Sequence, residues 1–352
     1  MTVSQLNEIL KSNVLIIATA DEANPSAIHD AAWAGANVLL APALTHFDEA
    51  DEQVLETFFD AAEDIAFVAG QIAAPASSLD NDEAFDAYYE SVVRQAEWLD
   101  KMDVSMIFLT GVRDAVSAKC AWYAIREATA LPICVGISVG EDNASVKEAL
   151  SLLITLQALD VSAVGCTDMY IDDALGVLSE LQAFATVPLF AISNPGRYLQ
   201  PEEYGDYIPS FVHQKCAMVG LYPCSQSYIA TACKEVWQLS PLRPDFPMLN
   251  AVCSKDEVMF LDFKGKIVGK NKQLLEIRTE KEEELKQALA VFNLPGATPV
   301  CFHIQDIDLL EYAILHYAGR PAVKSDEYGE ITAKELGAIV LEAEKPKKEA
   351  KK

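Results

Sequence analysis

The chain is short of positive charge, of long apolar runs and of paired cysteines. Lys and Arg number 27 against 53 Asp and Glu, for a net charge of −26. The last eight residues, KPKKEAKK, hold five Lys against one Glu, so the remainder is more acidic still. Such a body repels phosphate backbones and anionic lipid, which excludes nucleic acid and membrane surfaces as partners; the charge serves solubility. No apolar run reaches the length of a membrane span, and MTVSQLNEILKSN lacks the basic-then-apolar order of a signal peptide, so a cytoplasmic location is expected. Eight Cys (120, 134, 166, 216, 224, 233, 253 and 301) are scattered with no CxxC, several of them inside apolar runs. Reduced, mostly buried thiols follow. There is no Gly-rich phosphate loop, no Ser-His-Asp spacing and no HExxH.

What is present is a repeat. With 352 residues and 51% hydrophobic content, the chain can build one large α/β domain and an extra module, or two ordinary domains. Apolar runs of strand length recur at 13–19, 37–42, 65–70, 104–110, 132–139, 161–166, 187–193 and 216–221. Helical spacing occupies 27–36, 52–64, 84–102, 115–129, 145–159, 171–184 and 225–239, after an amphipathic lead-in at 3–12. Eight buried strands alternating with amphipathic helices predict a closed (β/α)8 TIM barrel over residues 1–240. The weakest match is the first crossover, 19–27, with Asp21, Asn24 and Pro25.

A Pro-rich linker follows at 241–249. Residues 250–344 read as a small C-terminal α/β module: a strand in EVMFLDF, a charged helix from 272 to 292, a strand in PVCFHI, a helix over DLLEYAILHYAG and a last helix from Thr332. Residues 345–352 form a basic, solvated tail.

In a barrel of this kind the loops after the strand C-termini line the site. These loops supply Thr19, Asp21 and Glu22, then Thr45 and His46, Gln71, Thr110 and Arg113, Ser138 and Glu141. The later strands add Cys166, Thr167 and Asp168, Ser193 and Asn194, and Tyr222, Cys224 and Ser225. Residues two apart on a strand share a face. Cys166 and Asp168 could then meet Cys224 in a metal site, with zinc as the candidate ion. A zinc site normally needs three or four well-placed ligands, so the preferred reading makes Cys166 a barrel-layer side chain and Cys224 a loop thiol, with no metal.

Three late segments, VSAVGCTDM (161–169), PLFAISNPGRY (188–198) and MVGLYPCSQSYIATACKEV (218–236), resemble the motifs of the homocysteine S-methyltransferase family, the homocysteine-binding barrel of methionine synthase. AIHDAAWAGANVLLAP, IAFVAGQIAAP and VSAKCAWYAIREATALPICVGISV are similar to its earlier units, and the likeness runs in order over residues 12–240. The family holds zinc through three Cys thiolates, one after strand 6 and an adjacent pair after strand 8. Laid on this chain, those positions are Asp168, Leu221 and Tyr222. The family's acidic turn after strand 1 is reduced to IIATADEAN, whereas Asn194-Pro195-Gly196 is kept and implies turn geometry. Residues 298–330 are faintly similar to part of a methyltetrahydrofolate-binding barrel, with His303 and Lys324 standing where its pterin contacts lie.

The resemblance implies a methionine-synthase-type methyltransferase with an altered or lost zinc-thiolate site. Its substrate would be a small thiol or amino acid, and its methyl source a corrinoid or other methyl-carrier protein. Asp168 and Cys224 would be catalytic, as base and as alternative ligand or covalent acceptor. Thr19, Asp21, Glu141, Asn194 and Tyr222 would bind substrate. The rival reading is a non-catalytic binding or assembly protein on the same barrel, a role that leaves room for an oligomer.

Overall fold

A computed structural model describes residues 1–19, 25–138, 145–196, 199–222, 225–242, 250–262, 264–268 and 273–341. The chain divides into two units, Met1–Pro247 and Met248–Lys352.

In the first unit, eight parallel strands close into a barrel in the order β1 to β8. They are Leu15–Thr19, Val38–Ala43, Phe67–Ala73, Met106–Val112, Ile133–Ile137, Ala163–Tyr170, Leu189–Asn194 and Cys216–Leu221. Closure is made by β1, where Ile17 pairs with Val38 on one side and with Gly220 on the other. The helices are α1 (Val3–Ser12), α2 (Pro25–Trp33), α3 (Glu49–Ala62), α4 (Asp82–Lys101), α5 (Ala115–Ala128), α6 (Ser145–Leu156), α7 (Ile171–Leu181), α8 (Pro201–His213) and α9 (Gln226–Val236). Among the described residues no helix is long and apolar enough to cross a membrane.

The barrel is packed rather than hollow. Leu15, Ile17, Val38, Leu40, Met106, Phe108, Phe190 and Met218 share one buried cluster with Leu6 and Leu10 of α1. Inward positions recur every second residue because side chains alternate across a strand. Phe108 and Phe190 meet edge to face with centroids 5.4 Å apart, worth about 1 kcal/mol beyond their buried area. Helix α1 begins with a capping box in which Thr2 Oγ1 accepts from Gln5 N and Gln5 Oε1 accepts from Thr2 N. Its Leu6 and Leu10, four apart on one face, then reach the floor of the barrel.

The pattern of apolar runs did not anticipate α8. Pro201 at its first turn, Gly205 and an interior Pro209 mask the helix, although buried Tyr204, Ile208, Phe211 and Val212 keep helical spacing. Several strands also run further than their apolar segments; β6 extends to Tyr170, so Cys166, Thr167 and Asp168 lie in a strand and not in a loop.

The second unit pairs β9 (Ala251–Cys253) and β10 (Val258–Phe260) as an antiparallel hairpin. A parallel sheet follows, in the order β11 (Leu275–Ile277), β12 (Val300–Phe302), β13 (Ala322–Val323), β14 (Ile339–Val340). Its crossovers are α10 (Glu282–Phe292), α11 (Ile307–His316) and α12 (Glu327–Glu335). The helix expected from 272 is thus split: its start is β11, and α10 begins only at Glu282. The last helix starts at Glu327 rather than Thr332, capped by Asp326, whose side chain accepts from Gly329 N at 3.1 Å. Val252, Met259 and Leu261 of the hairpin region pack on Cys301 and Ala322 of the sheet.

Candidate functional site

The mouth of the barrel is shaped by irregularities on alternate strands. One extra residue interrupts β2 between Leu40 and Ala43, β4 between Leu109 and Val112, and β6 between Thr167 and Met169. A bulge bends its strand and re-aims the side chains beyond it. On β4 the extra residue brings Gly111 to φ +73°, and on β6 it leaves Asp168 at φ +58°. For a residue with a Cβ, that left-handed conformation costs roughly 1–2 kcal/mol. Strain of this kind persists only where its surroundings enforce it.

What enforces it lies between the two strands. Gly136 of β5 has no side chain, and a Cβ there would lie 2.3 Å from Thr167 Cγ2. Thr167 fills that space, and its Oγ1 accepts a hydrogen bond from Gly111 N at 3.1 Å. Asp168 then lies over Gly111, its Oδ2 3.5 Å from where a Cβ on Gly111 would be. The Asp168 carboxyl is pushed above the usual carboxylate range by burial, an effect opposed by the Arg113 guanidinium. The mouth thus joins an anion and a cation over a floor of hydroxyls and amides. Gln71 Nε2 donates to Thr110 Oγ1 at 2.8 Å, and the Thr19 hydroxyl donates to the Leu221 carbonyl at 2.6 Å.

The alternation expected at Cys166 and Asp168 does not survive the bulge. Ala163 belongs to the interior cluster, and Thr167 reaches inward over Gly136. Cys166 is therefore on the helix side, buried, with its thiol raised to about 12 by burial. It shares no face with Asp168, and Cys224 lies outside the described residues. Among the described residues no three His, Cys, Asp or Glu side chains come together to hold a metal ion.

The remaining expected residues are dispersed in role. Asp21, Glu22 and Glu141 lie outside the described residues. Ser138 is buried, Tyr222 is half-exposed, and Tyr222 N donates to the Ser193 carbonyl at 3.0 Å. Asn194 ends β7, and its Oδ1 accepts from Gly196 N at 2.9 Å, forming an Asx turn with Gly196 at φ +71°. His46 N and Phe47 N both donate to Asp51 Oδ2, closing the loop before α3. Leu221 follows inward-facing Gly220, so its side chain points to the helices and is buried. Sequence reasoning passed over Gly111; the signal was a Gly directly after an apolar strand run, in LTGV.

A closed parallel barrel of eight strands with surrounding helices defines a (β/α)8 TIM barrel. The homocysteine S-methyltransferase family profile matches residues 22–222, more than half of the chain, and the chain belongs to that family. A comparison with curated protein sequences gave no match. Among solved structures, the homocysteine methyltransferase MmuM from Escherichia coli, in its metallated form, matches with a TM-score of 0.52 at 13% identity, covering 64% of this chain and 98% of that one. Its oxidised form matches at 0.49 and 13% identity, covering 63% and 95%. The carboxyl transferase domain of Rhizobium etli pyruvate carboxylase matches at 0.44 and 14% identity, covering 62% and 41%. At such identities the likeness is one of fold.

Proposed function

We propose that this chain is a methionine-synthase-type relative that binds a small amino acid or thiol at the barrel mouth without the family's zinc thiolates. The observation that carries the reading is the donor set at the three aligned positions. Asp168 supplies one carboxylate on a bulge, Leu221 is a buried hydrocarbon turned toward the helices, and Tyr222 is a half-exposed phenol. Zinc that activates a thiol is held by soft thiolate or imidazole ligands, and this set does not fit it. No step is therefore routed through a metal.

Without a metal, the thiol keeps its ordinary acidity. A model thiol and a model Asp differ by about 4.6 pKa units, so handing a proton from one to the other costs about 6 kcal/mol. Asp168 is better suited to accept from a substrate ammonium, with Arg113 beside it for the substrate carboxylate. Methyl transfer to the thiol, from a corrinoid or other methyl-carrier protein, would then need a thiol already ionised or activated by the donor. The reading places the protein in the cytoplasm, among methionine-forming reactions.

Protein purified without chelator is assayed for zinc and titrated calorimetrically with homocysteine, alongside Asp168→Asn. Near-zero zinc with saturable binding that weakens about tenfold or more in Asp168→Asn supports the proposal. Stoichiometric zinc sinks it. No homocysteine binding together with a co-purifying protein partner transfers the case to the non-catalytic assembly reading.

A further inference from the structure

Three hydroxyl groups on neighbouring strands face the barrel mouth. Thr110 lies in β4, Ser138 directly follows β5 and Thr167 lies in β6. Phe108, Cys134 and Ala163, two or four residues earlier on the same strands, belong to the interior cluster, so all three hydroxyls point inward. Ile137 pairs with Cys166, which sets Ser138 level with Thr167. The three residues are 6%, 6% and 2% exposed. Above a solid interior, that remaining surface opens to the mouth.

Each hydroxyl carries one proton to donate. Thr110 Oγ1 accepts from Gln71 Nε2 at 2.8 Å and Thr167 Oγ1 accepts from Gly111 N at 3.1 Å, yet neither donates to any of the described residues. Ser138 Oγ makes no hydrogen bond among the described residues at all. Buried polar groups normally find partners, so three unused donors on adjoining strands point to an acceptor that the chain does not supply. An anchor for such a ligand is close by. Asp168 follows Thr167 directly, and its Oδ2 lies 3.5 Å from where a Cβ on Gly111 would be. An amino acid held there by its ammonium brings its side chain within reach of the hydroxyls.

On the reading of the mouth proposed above, we infer that Thr110, Ser138 and Thr167 hold the substrate's sulfur as a thiolate. Asp168 is too weak a base to take the thiol proton, so ionisation has to be favoured by hydrogen bonds, with the proton passing to solvent and the bonding pair staying on sulfur. A neutral thiol is a weak acceptor, whereas a thiolate gains from every donor aimed at it, and bonds made to the charged form favour that form. Two or three such bonds can bring a carboxylate below about 2, a fall of roughly two units, and a comparable fall would take a thiol from about 8.5 to about 6.5. Burial opposes the anion, and the Arg113 guanidinium at the same end of the barrel supports it.

The full chain is titrated calorimetrically at neutral pH with homocysteine and with 2-aminobutyrate, which keeps the ammonium and the carboxylate but lacks the sulfur. Each titration is run in phosphate and in Tris, whose different heats of ionisation count the protons released. Homocysteine is expected to release more than half a proton beyond what 2-aminobutyrate releases. Thr110→Val and Ser138→Ala should each remove most of that excess and weaken homocysteine binding about tenfold, with 2-aminobutyrate binding unchanged within about twofold. Thr110→Ser, which keeps the hydroxyl, should behave as the parent. Homocysteine binding with no excess proton, or an excess that survives both substitutions, would overturn the inference, leave the hydroxyls to bound water and keep the amino-acid reading of the mouth intact. Failure of both ligands to bind would overturn the two together.

Discussion

Gly111 N–H donates to Thr167 Oγ1 at 3.1 Å, reaching from β4 to β6 across the intervening β5. The bond exists because β5 presents Gly136 at the crossing, and it ties together two bulged strand ends.

Gly136→Ala tests that tie. The new Cβ would sit 2.3 Å from Thr167 Cγ2 and 2.7 Å from its Oγ1, so Thr167 must move and the bond to Gly111 breaks. A loss of about 1–3 kcal/mol is expected by urea unfolding. Thr167→Ala removes both clashing atoms. The double variant should therefore lose less than the sum of the single losses; strict additivity would show that the two residues do not touch.

Asp168 gives a pH signature. Its folded carboxyl titrates above the unfolded value because burial outweighs Arg113. The folded state thus holds a proton that the unfolded state has already released, and stability falls as pH rises from the unfolded Asp value of about 3.9 through the folded one. Asp168→Asn removes this dependence. Relative to the parent, the variant should gain stability across that window and keep a constant difference above it. Parallel curves of unfolding midpoint against pH would contradict the assignment.

Cys233 is the described thiol most open to reagent. The other described cysteines are buried, and burial holds Cys120 and Cys166 at about 12 and Cys301 at about 11. With Cys224 changed to Ser, one thiol should react with a disulfide reagent in native buffer and the rest only in denaturant. The Cys233 reaction should be slow, since its own thiol is raised by burial and its Sγ lies 3.3 Å from the Gly35 carbonyl. Fast labelling of several thiols would argue against this packing.

Gly319→Ala targets the second unit. A Cβ there would lie 2.2 Å from the Cys253 carbonyl oxygen, which is backbone and cannot swing aside. Neighbouring Arg320 N and O hold Cys253 Sγ and N, and its Nε donates to the Gly337 carbonyl at 2.7 Å. The hairpin should separate from the sheet, at a cost of about 3 kcal/mol or more. Limited proteolysis should then cut within 250–262 while the barrel resists. Equal protection of both would refute the docking.

The barrel was legible because each of its strands contains a short apolar run, and burial on both faces writes such runs into a sequence. Helix α8 was not, because two prolines and a glycine outweighed its buried Tyr204, Ile208 and Phe211. Leu274 and Leu275 read as the first turn of a charged helix, and only parallel pairing of Leu275 with Val300 makes that stretch a strand. Asp168 was expected at the C-terminal end of its strand and lies there, but the face of Cys166 was misread. The two-residue period fails wherever a bulge adds a residue, and the Asp168 bulge depends on Gly136, 32 positions earlier in the chain. No local pattern carries that information.

Helix α1 stoppers the floor of the barrel with Leu6 and Leu10, and the interior above it is solid with side chains. Among the described residues the barrel is therefore closed at the α1 end. Nothing passes through the described core from the α1 end to the Asp168 end, so two reactants cannot arrive from those opposite sides. On the proposed reading, a methyl carrier and its acceptor would have to queue or stack at the Asp168 entrance, and a carrier protein docked there would seal in whatever had bound first.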